Sequence, residues 1–296
     1  MDQRVALDGL EPPLVTLHSR GAASSPLILA SPHAGRDYRA EFLAISRLDM
    51  AQLRRTEDAF VDQLFQDGPS HGVPLLCANF PRSWLDVNRD EWELDPAMFA
   101  DQLPAQAAAV SARAAAGLGA IPRVASQGAP IYRRKLQFAE AEQRLAQAWR
   151  PYHRALAGLI EETKNRFGRC VLIDCHSMPS AHGGAGATGA ASGQQPADIV
   201  LGDAFGTSCR SDLVGWVESK LQKQGYVVKR NVPYAGGYVT RHYGKPSLGV
   251  DVLQLEIARS LYMDETAIEP HRSFEKTRRN CEELIAALAR AVSKAG

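Results

Sequence analysis

The sequence predicts an α/β domain, residues 1–296, with a mixed, mainly parallel central sheet and helices on both faces. Three observations carry the expectation. Short apolar runs alternate with helical patterns along the chain. No internal repeat and no linker divides it. Polar residues able to do chemistry stand directly after several apolar runs, where ligands bind in sheets of this kind.

The elements follow in order. Residues 26–30 (PLILA) are a brief apolar run that stops at Ser31-Pro32-His33-Ala34-Gly35, a buried strand feeding a loop. Residues 56–65 (TEDAFVDQLF) gather Phe60, Val61, Leu64 and Phe65 on one helical face, with Thr56 as the N-cap. Residues 73–80 (VPLLCANF) read as a second strand. The Ala-rich stretch 105–117 is helix or loosely ordered, and residues 90–137 as a whole lack a clear period and form an excursion from the core. Residues 139–167 are helical, interrupted by Pro151. Residues 170–174 (CVLID) are the clearest buried strand. Residues 183–193 (GGAGATGAASG) offer almost nothing to pack and are expected to be a flexible loop. Strands at 198–201, 226–229 and 252–257, an amphipathic helix at 208–224 and a closing helix at 268–294 complete the pattern.

Composition narrows the function classes. The chain has 296 residues, with 34 Lys or Arg against 33 Asp or Glu and a formal charge of +1. That balance argues against nucleic-acid binding, which would show a clustered basic surplus. No apolar run reaches the roughly 18–20 residues that a membrane span needs. The charged, Pro-broken N-terminus is unlike a signal peptide. Five scattered cysteines without a CxxC fit a reducing, cytoplasmic setting and no Cys-rich zinc module.

Three strand ends carry unusual polar residues: Ser31-Pro32-His33-Ala34-Gly35, Asp174-Cys175-His176-Ser177, and Gln254-Leu255-Glu256. Two histidines and a carboxylate at strand ends suggest a metal site, for which Zn²⁺ is suited to neutral imidazole. Asp58 and Asp37 compete as third ligand. Asp58 is equally readable as an acidic residue complementing a helix dipole. Glu256, inside an apolar run, is either paired with an Arg or functional, and next to a metal-bound water it would be a general base. Arg82, Arg89 and Arg241 stand in loop contexts and suit a planar grip on carboxylates. Asp86 is expected to partner one of them. Gly236 and Gly237 allow a close backbone approach.

These segments resemble the N-formylglutamate amidohydrolase family. The matching stretches are SPHAG (31–35), EDAFVDQLF (57–65), LDVNR (85–89), RPYH (150–153), IDCHS (173–177), LGDAFGTSC (201–209), GGYVTRHYG (236–244) and QLEIARSLYMDE (254–265), in the family's order. The resemblance implies a zinc-dependent amidohydrolase on the broad fold of zinc carboxypeptidases, cleaving a small acidic N-acyl amino acid such as N-formyl-L-glutamate. It implies His33, Asp58 and His176 as metal ligands, with Glu57 the alternative to Asp58. It implies Glu256 and Arg241 in the catalytic group, and Arg82, Asn88, Arg89 and Gly237 against the substrate. One departure stands out: carboxypeptidases place a carboxylate ligand three residues after the first His, where this chain has Arg36. Three rivals remain. They are a carboxypeptidase-like or N-acyl amino acid deacylase, a non-catalytic ligand-binding protein, and a thiol hydrolase using Cys175.

Overall fold

The computed structural model describes residues 3–6, 12–107, 111–180 and 196–294, so the Gly/Ala-rich stretch 183–193 lies outside the described residues. The strands are β1 (Gln3–Ala6), β2 (Val15–Ser19), β3 (Leu27–Ser31), β4 (Leu75–Ala78), β5 (Cys170–Met178), β6 (Ile199–Gly202), β7 (Val228–Arg230) and β8 (Val250–Ala258). They form one sheet in the order β1-β2-β4-β3-β5-β8-β6-β7. The central run β4-β3-β5-β8 is parallel, whereas β1, β2 and β6 join antiparallel to their inner neighbours. The α/β class and the mixed, mainly parallel sheet expected from the sequence are thus observed.

Central strands buried on both faces read as unbroken apolar runs, and their residues divide by parity. Ile28, Ala30, Cys170, Leu172 and Val252 pack into one core, beneath the helix Arg150–Phe167. Leu29, Val171, Ile173, Cys175, Leu253 and Leu255 pack into the other, against Ser211–Lys223 and Phe274–Lys294. Toward the carboxyl ends of β5 and β8 the first face changes character. Period-2 alternation carries Cys170 and Leu172 on to Asp174 and His176, and Val250 and Val252 on to Gln254 and Glu256. The same sheet face is therefore apolar at one end and polar and ionisable at the other.

Several local expectations need correction. Residues 56–65 are not one helix: only Val61–Leu64 is helical, and Phe60 before it sits at φ 66°. Thr56 caps nothing, since its hydroxyl donates to the carbonyl of Leu53 at the end of Met50–Arg54. The segment 139–167 is Phe138–Arg144, a π turn at Leu145–Trp149, and Arg150–Phe167. The wider turn precedes Pro151, which has no N–H to give to a tighter ladder. In the Ala-rich stretch, Ala105–Ala107 and Ala112–Ala115 are short helical turns. The closing helix starts at Phe274. β1 and β2 were not anticipated.

Candidate metal centre and active-site cleft

The loop after β3 and the strand β5 bring His33 and His176 to a ring separation of 4.9 Å. Asp58 stands between them, its Oδ2 3.0 Å from His176 Nδ1 and 3.4 Å from His33 Nδ1. Asp58 is fixed by its own backbone, whose N–H donates to the His33 carbonyl at 3.0 Å, and by Arg259, 3.3 Å from Oδ1. The candidate ligand atoms of His33, Asp58 and His176 all lie within 4.8 Å of one another, in three buried residues.

The far nitrogen of each ring meets a carboxylate. His33 Nε2 lies 2.7 Å from Asp86 Oδ1, and His176 Nε2 lies 3.0 Å from Asp174 Oδ2. An imidazole that donates Nε2–H to a carboxylate turns a bare Nδ1 lone pair inward, the tautomer and orientation that metal binding requires. His33 Nδ1 is buried and makes no hydrogen bond of normal geometry among the described residues, so it is an acceptor awaiting a partner. The electrostatics agree. Burial opposes charge on His176, but Asp174 and Asp58 hold its proton well above the ordinary imidazole range. Burial likewise opposes charge on Asp58, yet the adjoining His176 and His33 rings keep its carboxyl well below its usual value. Such a site favours added positive charge, and the donor set fits a divalent cation.

The rival ligands are occupied elsewhere. Glu57 accepts from the Tyr38 hydroxyl at 2.8 Å and from Arg54 Nε at 3.2 Å. Asp37 accepts from Arg39 Nε at 3.2 Å. Cys175 faces the opposite core, fully buried, and burial pushes its thiol well up. Adjacent strand residues alternate in face, so it forms no pair with the His176 ring.

Parallel register sets Glu256 beside His176, and Gln254 beside Asp174. Glu256 is 7% exposed and accepts from Gln254 Nε2 at 3.0 Å, a neutral partner in place of the arginine that a purely structural role would provide. Burial pushes its carboxyl up to about 7, with His176 and Arg82 pulling the other way and Asp58 adding to the rise.

The remaining expected residues divide. Arg82 pairs with Asp86 at 2.8 Å, as anticipated for that carboxylate. Arg89 donates to the carbonyls of Leu118 and Asn88 at 3.0 and 2.8 Å. Asn88 braces the ligands. Its Oδ1 accepts from the Val239 N–H at 2.9 Å, and its Nδ2 lies 3.5 Å from Asp174 Oδ2. Gly237 donates its N–H to Gln254 Oε1 at 3.1 Å, and a Cβ there would fall 2.3 Å from Asn88 Oδ1. Arg241 is the exception. The helix Tyr238–Tyr243 buries Val239 and Thr240, which leaves Arg241 exposed and outside the cleft lining. The structure therefore does not bring Arg241 together with the other expected site residues.

His33, Asp58, Arg82, Asn88, Arg89, His176, Gly237 and Glu256 all line one cleft of ≈ 990 Å³, together with Arg54, Arg55, Arg113 and Arg259, which the sequence reading passed over. Asp174 was singled out with its strand end but given no role. Its signal was its spacing two residues before His176, which puts both on one face.

A search of family models matches residues 25–263 to the family described as N-formylglutamate amidohydrolase. The chain belongs to the N-formylglutamate amidohydrolase family. Among curated proteins it is 30% identical over 269 residues to an N-formylglutamate deformylase of Pseudomonas aeruginosa, covering 89% of this chain and 92% of that protein. It is 29% identical over 246 residues to an N-formylglutamate deformylase of Pseudomonas putida, covering 81% and 83%. Among solved structures, the N-formylglutamate amidohydrolase from Ralstonia eutropha JMP134 superposes with a TM-score of 0.88 at 36% identity, covering 95% of this chain and 99% of that one. The family match thus spans the segments that carry every candidate ligand and the facing glutamate. Among the described residues no helix is long and apolar enough to cross a membrane.

Proposed function

We propose that the protein hydrolyses the amide of an N-formyl amino acid with an acidic side chain, N-formyl-L-glutamate, to formate and glutamate. One observation carries the reading: His33, Asp58 and His176 converge beside the buried Glu256 in an arginine-lined cleft. The named activity of the Pseudomonas relatives supports the same substrate.

His33, His176 and Asp58 would hold the metal, and His/carboxylate donors favour zinc. Bound there, the ion supplies Lewis-acid polarisation of the formyl carbonyl and acidifies the attacking water. Glu256 accepts a proton as water adds to the formyl carbon and returns it to the nitrogen as the C–N bond breaks. A carboxyl poised near neutrality suits both transfers. Asp86 and Asp174 keep the two imidazoles in one tautomer and orientation. Arg82, backed by Asp86, offers a fixed cation to the developing oxyanion. Arg89 offers its guanidinium to a substrate carboxylate.

The test is formate release from N-formyl-L-glutamate by metal-reconstituted protein, beside N-acetyl-L-glutamate and a glutamyl peptide. Formate release that a chelator abolishes and added zinc restores is the expected outcome. Absence of turnover by fully metal-loaded protein overturns the proposal, and preference for the acetyl or peptide substrate reassigns the acyl group.

A further inference from the structure

We propose that Arg113, acting with Arg89, seats the side-chain carboxylate of the substrate and is the residue that selects an acidic amino acid. The inference rests on the deformylase reading above and names what makes that cleft selective.

Three of the six arginines along the cleft already have an anionic partner. Arg82 pairs with Asp86 at 2.8 Å, Arg259 with Asp58 at 3.3 Å, and Arg54 with Glu57 at 3.2 Å. Arg89 is different: its Nε and Nη1 donate to carbonyls, and no carboxylate pairs with it among the described residues. Arg113 makes no side-chain hydrogen bond or ion pair among the described residues, and it stands exposed on the cleft wall.

The two are linked through one residue. Leu118 gives its N–H to the carbonyl of Arg113 at 2.8 Å, and its own carbonyl accepts from Arg89 Nε at 3.0 Å. The turn that carries Arg113 is held in turn by Ser111, whose Oγ accepts from the Ala114 N–H at 3.0 Å. Arg113 is close enough for its charge to oppose that of Arg89. Two cations lining one cleft, neither in an ion pair among the described residues, repel, and a carboxylate placed between them relieves the repulsion while gaining charge-assisted hydrogen bonds. N-formylglutamate has two carboxylates and N-formylglutamine only one, so the pair of substrates isolates the seat.

The experiment compares N-formyl-L-glutamate with N-formyl-L-glutamine in metal-loaded wild type, Arg113→Gln, Arg113→Lys and, as a control for the neighbouring unpaired cation, Arg55→Gln. Arg113→Gln should raise KM for N-formylglutamate roughly 10- to 100-fold, the size expected of hydrogen bonds to a charged group. Its kcat and its handling of N-formylglutamine should stay near wild type, and Arg113→Lys should recover part of the loss. Equal losses on both substrates, an unchanged KM for N-formylglutamate, or the whole effect appearing in Arg55→Gln instead would each overturn the assignment. If wild type cleaves neither substrate, the deformylase reading fails, and calorimetry with glutarate against butyrate still judges the seat. A glutarate preference that Arg113→Gln removes supports it, and no preference overturns it. An unfolding midpoint shared by Arg113→Gln and wild type excludes a folding defect.

Discussion

His176 and Glu256 are register partners on the two adjacent parallel strands β5 and β8. Their spacing is set by the backbone ladder of the sheet interior, the least deformable part of the fold, with each strand buried along its whole length. A candidate ligand and a candidate base are thereby fixed relative to one another without a loop between them.

Glu256→Gln keeps the shape and the bond from Gln254 but removes the proton acceptor. Turnover should fall by about 10²–10⁴-fold with metal content unchanged. In wild type, kcat/KM should decline as the medium is acidified through about 7, because Glu256 accepts a proton only as the carboxylate. A cation on the neighbouring ligands would move that limb downward. Near-normal turnover by the variant would remove Glu256 from the role.

Metal content separates Asp58 from its neighbour. Asp58→Ala should lose bound metal, and Glu57→Ala should retain it, because Glu57 is engaged by Tyr38 and Arg54. Asp86→Asn should weaken metal binding by about 10- to 100-fold through the His33 ring. Metal analysis after dialysis against a graded chelator reads all three, and full retention by Asp58→Ala would discard it as a ligand.

Gly237→Ala places a methyl 2.3 Å from Asn88 Oδ1. Overpacking of this kind costs about 1–3 kcal/mol, and displacement of Asn88 should also weaken metal retention. Gly215→Ala is the matched control, since the nearest atom to its added Cβ is the tip of Arg230 at 3.8 Å. Denaturant midpoints of the two variants should therefore differ, and equal midpoints would refute the steric account.

His153 sits behind the Asn88–Arg89 segment, its Nε2–H donating to the Val87 carbonyl at 2.8 Å and its Nδ1 accepting from the Tyr243 hydroxyl at 2.9 Å. Burial pushes it down to about 3 from an ordinary 6.5. The unfolded chain therefore takes up this proton first. The contribution of His153 is complete above the unfolded value and is lost as pH falls from 6.5 toward 3, at up to about 1.4 kcal/mol per pH unit. Urea unfolding at about pH 7 and about pH 5 should show a shallower acid loss in His153→Asn than in wild type. Parallel curves would assign the acid sensitivity to other groups.

What could be read from the sequence follows from how each residue is buried. β3, β5 and β8 were legible because strands covered on both faces carry unbroken apolar runs, and polar residues within or after them stand out. β2 was hidden because VTLHS, though it alternates apolar and polar residues between Pro12-Pro13 and the Gly/Ser-rich stretch 19–25, is only five residues long and half-buried over its last three. Asp58 was ambiguous for a physical reason: an acidic residue after a Thr looks like the first turn of a helix, and only the left-handed Phe60 shows that the helix begins later. Arg241 stands apart from the others because a loop-like sequence folds as a short helix with a definite outer side. Arg113 was invisible, as an Ala-rich stretch gives no hint that it comes to line the same cleft as Arg89.

The cleft draws its two kinds of wall from different stretches of chain. The ligands and Glu256 belong to the sheet or to the segments directly against it, while Arg113 and the turn at 125–128 belong to the excursion across residues 90–137. On the proposed reading, the reacting groups and Arg113 thus lie in separate parts of the chain. On that reading, exchanging the turn around residues 111–118 would offer a different surface to the amino acid side chain without touching His33, Asp58, His176 or Glu256.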